Sequence, residues 1–173
     1  MKSFSRRFLR VKIITMTLEE VTFLISGGEI RPQIRMPTSA TILQLKQMIN
    51  EKIRVPVSRQ NLLYGNTKLL DWTPINRYNF GTFAELILAI DMYPDERVIT
   101  VSVSSPAFDI GLRVNKVHKV IQVKQKLAEI CAIDTESITL WYMSKKMQDE
   151  KPLYKYYITD GSQILFTRTG FST

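Results

Sequence analysis

The side chains best suited to chemistry in this chain are Cys131 and His118, its single cysteine and its single histidine. A catalytic thiol needs a base within hydrogen-bonding reach and a third group that orients the base. These two residues lie thirteen positions apart, on either side of a predicted helix, and no orienting group is evident in the sequence. One cysteine and one histidine also cannot supply the four ligands of a zinc site. We therefore expect a protein that is not an enzyme and holds no metal.

The glycine pair Gly27-Gly28 is the next candidate, because glycine-rich loops can cradle a phosphate. No Lys-Ser or Lys-Thr follows this pair, so the phosphate-binding signature is missing. Alternating apolar residues on either side indicate a hairpin turn instead. We therefore expect no cofactor and no small-molecule substrate.

The chain carries one sequence pattern twice, because residues 21–90 match residues 99–168 at a fixed offset of 78. The offset superposes identical residues: Lys46 on Lys124, Gln47 on Gln125, Tyr64 on Tyr142, Asp71 on Asp149, Pro74 on Pro152 and Tyr78 on Tyr156. A solenoid needs at least about three copies to bury its core, so a long period that occurs twice indicates a duplicated domain.

Each copy predicts two strands, a helix and then further short strands. The first hairpin follows from residues that alternate between apolar and other types on either side of Gly27-Gly28. The first helix is expected to begin at Thr41, which forms a capping box with Gln44, and to end before Pro56. In the second copy Lys119 replaces the capping threonine, which should weaken that helix N-terminus by about 1 kcal/mol.

These positions resemble the ubiquitin family in the spacing from the helix to the last strand. The resemblance is carried in the first copy by Thr41-Ile42, Leu45-Lys46, Ile49, Pro56, Gln60, Leu62–Tyr64, Leu69, Asp71, Ile75, Tyr78–Phe80 and Leu86–Leu88. In the second it is carried by Val123-Lys124, Ile133, Leu140, Tyr142, Asp149, Leu153, Tyr156 and Ile158. The resemblance implies an α+β fold of two tandem β-grasp domains, each a mixed sheet packed on one helix. The interferon-induced two-domain modifier and the paired domains of oligoadenylate-synthetase-like protein are arranged in this way.

The predicted organisation has five segments. Residues 1–20 form a basic extension, 21–90 the first ubiquitin-like domain, 91–97 a linker, 98–169 the second domain and 170–173 a short tail. The linker is short, acidic and contains a proline, so we expect the two domains to lie close together.

The resemblance also implies structural ion pairs, between Lys46 and Asp71 in the first domain and between Lys124 and Asp149 in the second. Removing one partner of a buried pair costs about 3–5 kcal/mol, because the other charge is left uncompensated. We interpret these four residues as structural rather than catalytic.

Partner binding in this family usually involves an apolar patch on the open face of the sheet. The corresponding positions are Leu63, Ile87, Ala89, Trp141, Leu165 and Thr167. An external partner could cover these faces, or the two domains could bury them against each other. Trp141 in particular could be an interface anchor or a buried residue with a satisfied indole N–H.

The resemblance favours a non-catalytic protein-interaction module or adaptor in ubiquitin-related or signalling pathways. One alternative is a ubiquitin-like modifier that is processed or conjugated in a non-standard way. The other is a membrane- or RNA-associated protein that acts through the basic extension, since residues 1–18 contain five cations and no acid. A flexible docking arm and a mitochondrial presequence are further interpretations of this extension.

Cytoplasmic or nuclear localisation is expected, because a single cysteine cannot form an intrachain disulfide and the sequence contains no run of 18 apolar residues. Mitochondrial localisation would follow if the extension is a presequence.

Conjugation is the first testable expectation. Ser172-Thr173 stands where the family has its terminal glycine pair. A side chain at these positions would obstruct passage of the C-terminal tail through the narrow channel of a conjugating enzyme. Incubation of a tagged chain with ATP and activating enzymes in cell lysate should therefore leave one unattached band. A ladder of heavier tagged species that disappears when the last four residues are trimmed would contradict this expectation.

Overall fold

The computed structural model describes residues 19–91 and 97–169, which form two domains of one plan. Domain 1 contains β1 (Glu20–Ser26), β2 (Gln33–Pro37), α1 (Ile42–Ile53), β3 (Gln60–Tyr64), β4 (Thr67–Lys68) and β5 (Phe83–Ile90). Domain 2 contains β6 (Val98–Ser105), β7 (Phe108–Asn115), α2 (Val120–Cys131), β8 (Ile138–Tyr142), β9 (Lys145–Lys146) and β10 (Gln163–Arg168). Residues 1–18, 92–96 and 170–173 lie outside the described residues, as do the predictions made for them.

Each sheet has five strands, in the orders β2-β1-β5-β3-β4 and β7-β6-β10-β8-β9. The first and last strands of each domain pair in parallel at the centre of the sheet, and the other pairs are antiparallel. One helix covers one face, since Ile42, Leu45, Ile49 and Ile53 of α1 are buried at helical spacing. The predicted α+β class with two tandem β-grasp domains is confirmed.

The helix N-termini differ as the sequence predicts. Thr41 Oγ1 accepts from the Gln44 N–H at 3.3 Å, and Gln44 Oε1 accepts from the Thr41 N–H at 2.8 Å. In α2 Gln122 Oε1 likewise accepts from the Lys119 N–H at 2.9 Å. The Lys119 side chain instead donates to Glu150 Oε2 at 2.6 Å, so α2 keeps half of the capping box.

Two strand boundaries differ from the sequence prediction. Strand β10 was expected to end at Phe166 but runs to Arg168, because Thr167 and Arg168 continue the antiparallel ladder opposite Thr139 and Ile138. Strand β4 was expected at Lys68-Leu69 and lies at Thr67–Lys68, opposite Tyr64 and Leu63. Both shifts result from cross-strand pairing, which local sequence patterns do not determine.

Tyr157 of domain 2 belongs to the core of domain 1. Its side chain is 4% exposed and packs within the apolar cluster built from α1 and the first sheet. Its backbone has φ of 60°, a left-handed conformation that bulky residues rarely adopt. Asn79, which holds the equivalent position of domain 1, has φ of 53° and suits that region better. Burial of the Tyr157 ring in the other domain therefore offsets an unfavourable backbone conformation.

The hairpin turn of domain 1 makes the reciprocal contact. Ile30 packs against the apolar cores of both domains. A Cβ atom on Gly28 would lie 2.5 Å from Tyr157 Cζ and 2.6 Å from the Lys155 carbonyl oxygen, so only glycine allows this approach. The two domains therefore share a packed contact, as the short linker suggested.

Separating the domains tests this shared core. Residues 19–91 and 97–173, expressed separately, should each melt cooperatively and give dispersed amide spectra, because each half retains its own sheet and helix. The first half should melt at a lower temperature than domain 1 does in the intact chain, since it lacks Tyr157.

Tyr157→Ala in the intact chain should reproduce that loss, and calorimetry of the three proteins provides the comparison. Disordered spectra for both halves would contradict the two-domain organisation, and an unchanged melting temperature for Tyr157→Ala would contradict the shared core.

Candidate protein-interaction surfaces

The open face of domain 1 carries an apolar pair on adjacent strands. Strand β5 buries Ala84, Leu86 and Leu88, so the alternate residues point away from the helix. Leu63 of β3 lies directly opposite Ile87 of β5. Ile87 is 48% exposed, Ala89 is exposed and Leu63 is half-buried. The three predicted patch residues of domain 1 therefore lie on one solvent-facing surface.

The open face of domain 2 carries the equivalent pair, because Trp141 of β8 lies opposite Leu165 of β10. Leu165 is 47% exposed, whereas Trp141 is half-buried. The Trp141 indole N–H donates to Thr167 Oγ1 at 2.9 Å. This bond satisfies the indole N–H and holds the ring against its own sheet. Trp141 thus has the satisfied indole N–H expected of a buried residue, and it keeps the partial exposure expected of an interface anchor.

A cleft of about 370 Å³ separates the face of domain 1 from domain 2. Ile87 and Ala89 line one wall, and Tyr154, Lys155 and Thr159 line the other. Domain 2 therefore lies beside the domain 1 patch without covering it, and the two open faces do not stack on each other.

Glu29 holds domain 2 in this position. Its backbone N–H donates to the Lys155 carbonyl oxygen at 2.7 Å, and its own carbonyl oxygen accepts from Lys145 Nζ at 2.7 Å. Its carboxylate oxygens lie 3.1 Å from Lys151 Nζ and 3.7 Å from Lys145 Nζ. The Glu29 side chain is 18% exposed, whereas Lys145 and Lys151 are 41% and 45% exposed, so water partly screens these pairs.

The charge state of Glu29 follows from these neighbours. Burial of the carboxyl raises its pKa, but the hydrogen bond from Lys151 and the charges of Lys151, Lys145 and Arg31 together hold the pKa of Glu29 below its ordinary value. The Glu29 contribution to docking is therefore complete above the ordinary carboxyl pKa and is lost as the pH falls through the lowered value.

In each domain the predicted ion pair joins a lysine of the helix to an aspartate of one turn. Lys46 Nζ lies 2.5 Å from Asp71 Oδ1, and Lys124 Nζ lies 2.5 Å from Asp149 Oδ1. The lysine side chains are 6% and 9% exposed, whereas the aspartates are 40% and 45% exposed. Because the acids face water, the buried ammonium is the costly partner to leave unpaired.

A tyrosine hydroxyl supports each of these turns. The Tyr78 hydroxyl accepts from the Leu70 N–H at 2.8 Å, and the Tyr156 hydroxyl accepts from the Gln148 N–H at 2.7 Å. The two turns therefore share one hydrogen-bonding scheme.

Cys131 and His118 occupy ordinary structural positions. Cys131 is half-buried at the end of α2. The backbone N–H of His118 donates to the Asn115 carbonyl oxygen at 2.9 Å. Within residues 19–91 and 97–169, no group of three His, Cys, Asp or Glu side chains could hold a metal ion. No helix in the same ranges is long and apolar enough to cross a membrane.

Sequence reasoning missed Glu29 and Tyr157, which make central contacts between the domains. The sequence does contain a signal for Tyr157. In the first copy this position is Asn79, a residue type that tolerates the left-handed backbone region, whereas the second copy has a bulky aromatic residue there. No comparable signal marks Glu29, whose partners lie more than a hundred residues away along the chain.

These two domains define a protein of the ubiquitin-like class, with a β-grasp sheet, one helix and a solvent-facing sheet surface in each copy. The model of the ubiquitin family matches residues 27–93 and 99–169. The chain belongs to the ubiquitin family.

Curated relatives resemble one part of the chain. Ubiquitin-like protein 4A from Callithrix jacchus, Oryctolagus cuniculus and Homo sapiens is 32% identical over 66 residues, which is 38% of this chain and 41% of each relative. The matched segment thus spans about two fifths of the length of these relatives.

Two solved structures are also similar to this chain. The N-terminal ubiquitin-like domain of the 4931431F19Rik protein is 22% identical, with a TM-score of 0.42, over 48% of this chain and 86% of that one. The ubiquitin-like domain of an Arabidopsis thaliana protein is 21% identical, with a TM-score of 0.43, over 49% and 92%.

The docking contact predicts how Glu29→Gln will behave. The substitution removes the carboxylate charge shared by Lys145 and Lys151, so the two domains should reorient more independently while each stays folded. Domain-resolved NMR correlation times at neutral pH should fall in the variant, and acidification of the wild type should have the same effect.

Gly28→Ala provides a second variant that acts through shape rather than charge, because its methyl group would overlap the Tyr157 ring. Gly111→Ala is the matched control, since a Cβ atom there has no neighbour within 4 Å. Unchanged correlation times in both Glu29→Gln and Gly28→Ala would contradict the docked arrangement.

Proposed function

We propose that this chain is a non-catalytic adaptor that binds a protein partner through the open sheet face of domain 1. The proposal rests on the ubiquitin-like fold and on one observation in particular, the apolar pair Leu63 and Ile87 on a face turned to solvent. An antiparallel sheet with one solvated face normally carries polar residues there. A partner that covers Ile87 and Ala89 would remove apolar surface from water.

The cleft beside this face supports the same proposal. A partner segment on Ile87 and Ala89 would also contact Tyr154 and Thr159 of domain 2. Docking fixes the second wall before binding, and prior fixation lowers the entropic cost of association. The two domains together would therefore bind more tightly than either does alone.

The face of domain 2 is the second surface of the proposed adaptor. Trp141 is held by its hydrogen bond to Thr167 and remains half-buried, so its ring is rigid and its exposed part is ready for contact. Rigid aromatic side chains are frequent anchors at protein interfaces. Two faces on one chain would allow the protein to connect two partners in ubiquitin-related or signalling pathways.

Truncation of the anchors tests the proposal. Ile87→Ala and Trp141→Ala should each weaken the binding of a purified partner by roughly 30-fold, which corresponds to a loss of about 2 kcal/mol for an interface anchor. The melting temperature should change little, because both side chains lie outside the apolar cores. Isothermal titration and calorimetry on the same samples measure the two quantities.

Ile130→Ala is the matched control, because Ile130 is 55% exposed but lies in α2, on the opposite side of domain 2 from its open face. Partners are first identified by crosslinking the intact chain beside the Leu63→Ala/Ile87→Ala variant. The proposal fails if Ile87→Ala and Trp141→Ala bind every recovered partner as Ile130→Ala does.

A further inference from the structure

Strand β7 forms one edge of the domain 2 sheet. Among the described residues it pairs only with β6, and it continues for 8 residues, Phe108–Asn115. Domain 1 reaches domain 2 at Lys145 of β9, the strand at the opposite edge of this sheet. Asp109, Gly111 and Arg113 are exposed in the docked chain. The outer edge of β7 therefore remains accessible.

The backbone groups of these three residues point away from β6. In an antiparallel pair, the residues of each strand alternate between those that bond the neighbouring strand and those that face outward. Ser102 of β6 lies opposite Gly111, and its N–H donates to the Ser162 carbonyl oxygen at 2.9 Å rather than to β7. Gly111 therefore belongs to the outward set, with Asp109 and Arg113 two positions away. Such a row of N–H and C=O groups can pair with a further strand.

The sequence of β7 is self-complementary about Gly111. The residues one position away, Ile110 and Leu112, are both apolar, and those two positions away, Asp109 and Arg113, carry opposite charges. If two copies of β7 pair antiparallel with Gly111 opposite Gly111, each Asp109 faces the Arg113 of the other copy. A two-fold contact requires this reciprocity, in which one residue meets a second and the second meets the first. An unrelated strand would not require it, so the pattern selects a second copy of this chain as the occupant.

The side chains and carbonyl groups of β7 are compatible with this pairing. The Ser102 hydroxyl donates to Asp109 Oδ1 and holds the carboxylate over the strand. Lys126 Nζ donates to the Arg113 carbonyl oxygen at 3.3 Å. A carbonyl oxygen has two lone pairs, so this bond leaves one for an N–H of the other copy.

The corresponding strand of domain 1 lacks the self-complementary pattern. Strand β2 has 5 residues, ends at Pro37 and follows Pro32. Arg31 and Arg35 stand at the positions of the charged pair of β7, so two copies of β2 would bring like charges together. Short strands and prolines are devices that prevent pairing at sheet edges. The fold therefore accommodates a protected edge, and domain 2 has an open one.

We propose that two copies of the chain associate through β7, in an antiparallel register centred on Gly111. Each domain 2 sheet has 5 strands, so the two would join into one continuous sheet. Directly opposed residues lie on the same face of a sheet, so both surfaces formed by Trp141 and Leu165 would lie on one side. This contact uses the sheet edge and is separate from the open faces of the proposed adaptor.

The size of the contact predicts a weak, reversible dimer. One strand pair buries less than the roughly 800 Å² per partner that is typical of a stable interface. The net charge of +8 on each chain also opposes association, although physiological salt largely screens exposed charges more than about 8 Å apart. The opposed aspartate and arginine side chains lie within that distance.

Sedimentation equilibrium of the intact chain tests the dimer. At physiological salt the average mass should rise from 20.0 kDa toward twice that value as the protein concentration approaches the millimolar range. Over the same range the amide hydrogens of Asp109, Gly111 and Arg113 should exchange more slowly, because pairing covers them. A chain that stays monomeric at millimolar concentration overturns the proposal.

Charge reversal tests the register. Asp109→Arg places an arginine opposite Arg113 of the other copy, and Arg113→Asp places an aspartate opposite Asp109. Each variant alone should dimerise at least about tenfold more weakly, because two attractive cross-strand pairs become repulsive. An equimolar mixture of the two variants should associate again, because each charged side chain then faces its opposite. The melting temperatures should stay close to that of the wild type, since both side chains are exposed.

Glu51→Arg is the matched control, because Glu51 is exposed on α1 of domain 1 and the substitution changes the net charge as Asp109→Arg does. It should dimerise nearly as the wild type does. The proposal is overturned if Asp109→Arg dimerises as tightly as Glu51→Arg. It is also overturned if the mixture of the two β7 variants stays monomeric while the wild type dimerises.

Discussion

Each domain depends on the turn that follows its fourth strand, because carbonyl oxygens of this turn accept hydrogen bonds from the start of the helix. Two helix N–H groups, a tyrosine hydroxyl and a buried lysine all converge on it. These contacts hold the start of the helix against the edge of the sheet. Because backbone hydrogen bonds to the helix start hold the turn in both domains, it tolerates different exposed side chains, Leu70 and Trp72 in one and Gln148 and Glu150 in the other. The turn therefore has the same backbone structure in both domains but exposes different side chains.

The duplication conserves the fold while the surfaces diverge. Leu63 and Ile87 in one copy correspond to Trp141 and Leu165 in the other, and the polar Gln148 and Glu150 replace an apolar pair. The docking contact is asymmetric: domain 1 contributes its longer hairpin turn, whereas the β6–β7 turn of domain 2 is short and domain 2 contributes Tyr157 instead.

Local patterns in the sequence account for most of the fold. Alternation predicts the strands, helical spacing predicts α1 and α2, and the resemblance to the ubiquitin family implies the two ion pairs. The ends of β4 and β10 were misplaced because pairing with a neighbouring strand sets them. The cleft and the docking contact could not be predicted, because Glu29 and Lys145 meet only after both domains have folded. The exposure of Trp72 was likewise hidden, since an apolar residue in a sequence is usually assigned to the core.

The position of Tyr157 has a consequence during translation. Domain 1 leaves the ribosome first, but one wall of its core is supplied by a residue near the end of domain 2. Domains usually fold in order as they are synthesised. Domain 1 can fold in this order, but the groove that receives the Tyr157 ring stays open to solvent and to chaperones until domain 2 docks. A ribosome that stalls before residue 157 would release a chain whose first domain is complete in sequence but not in packing.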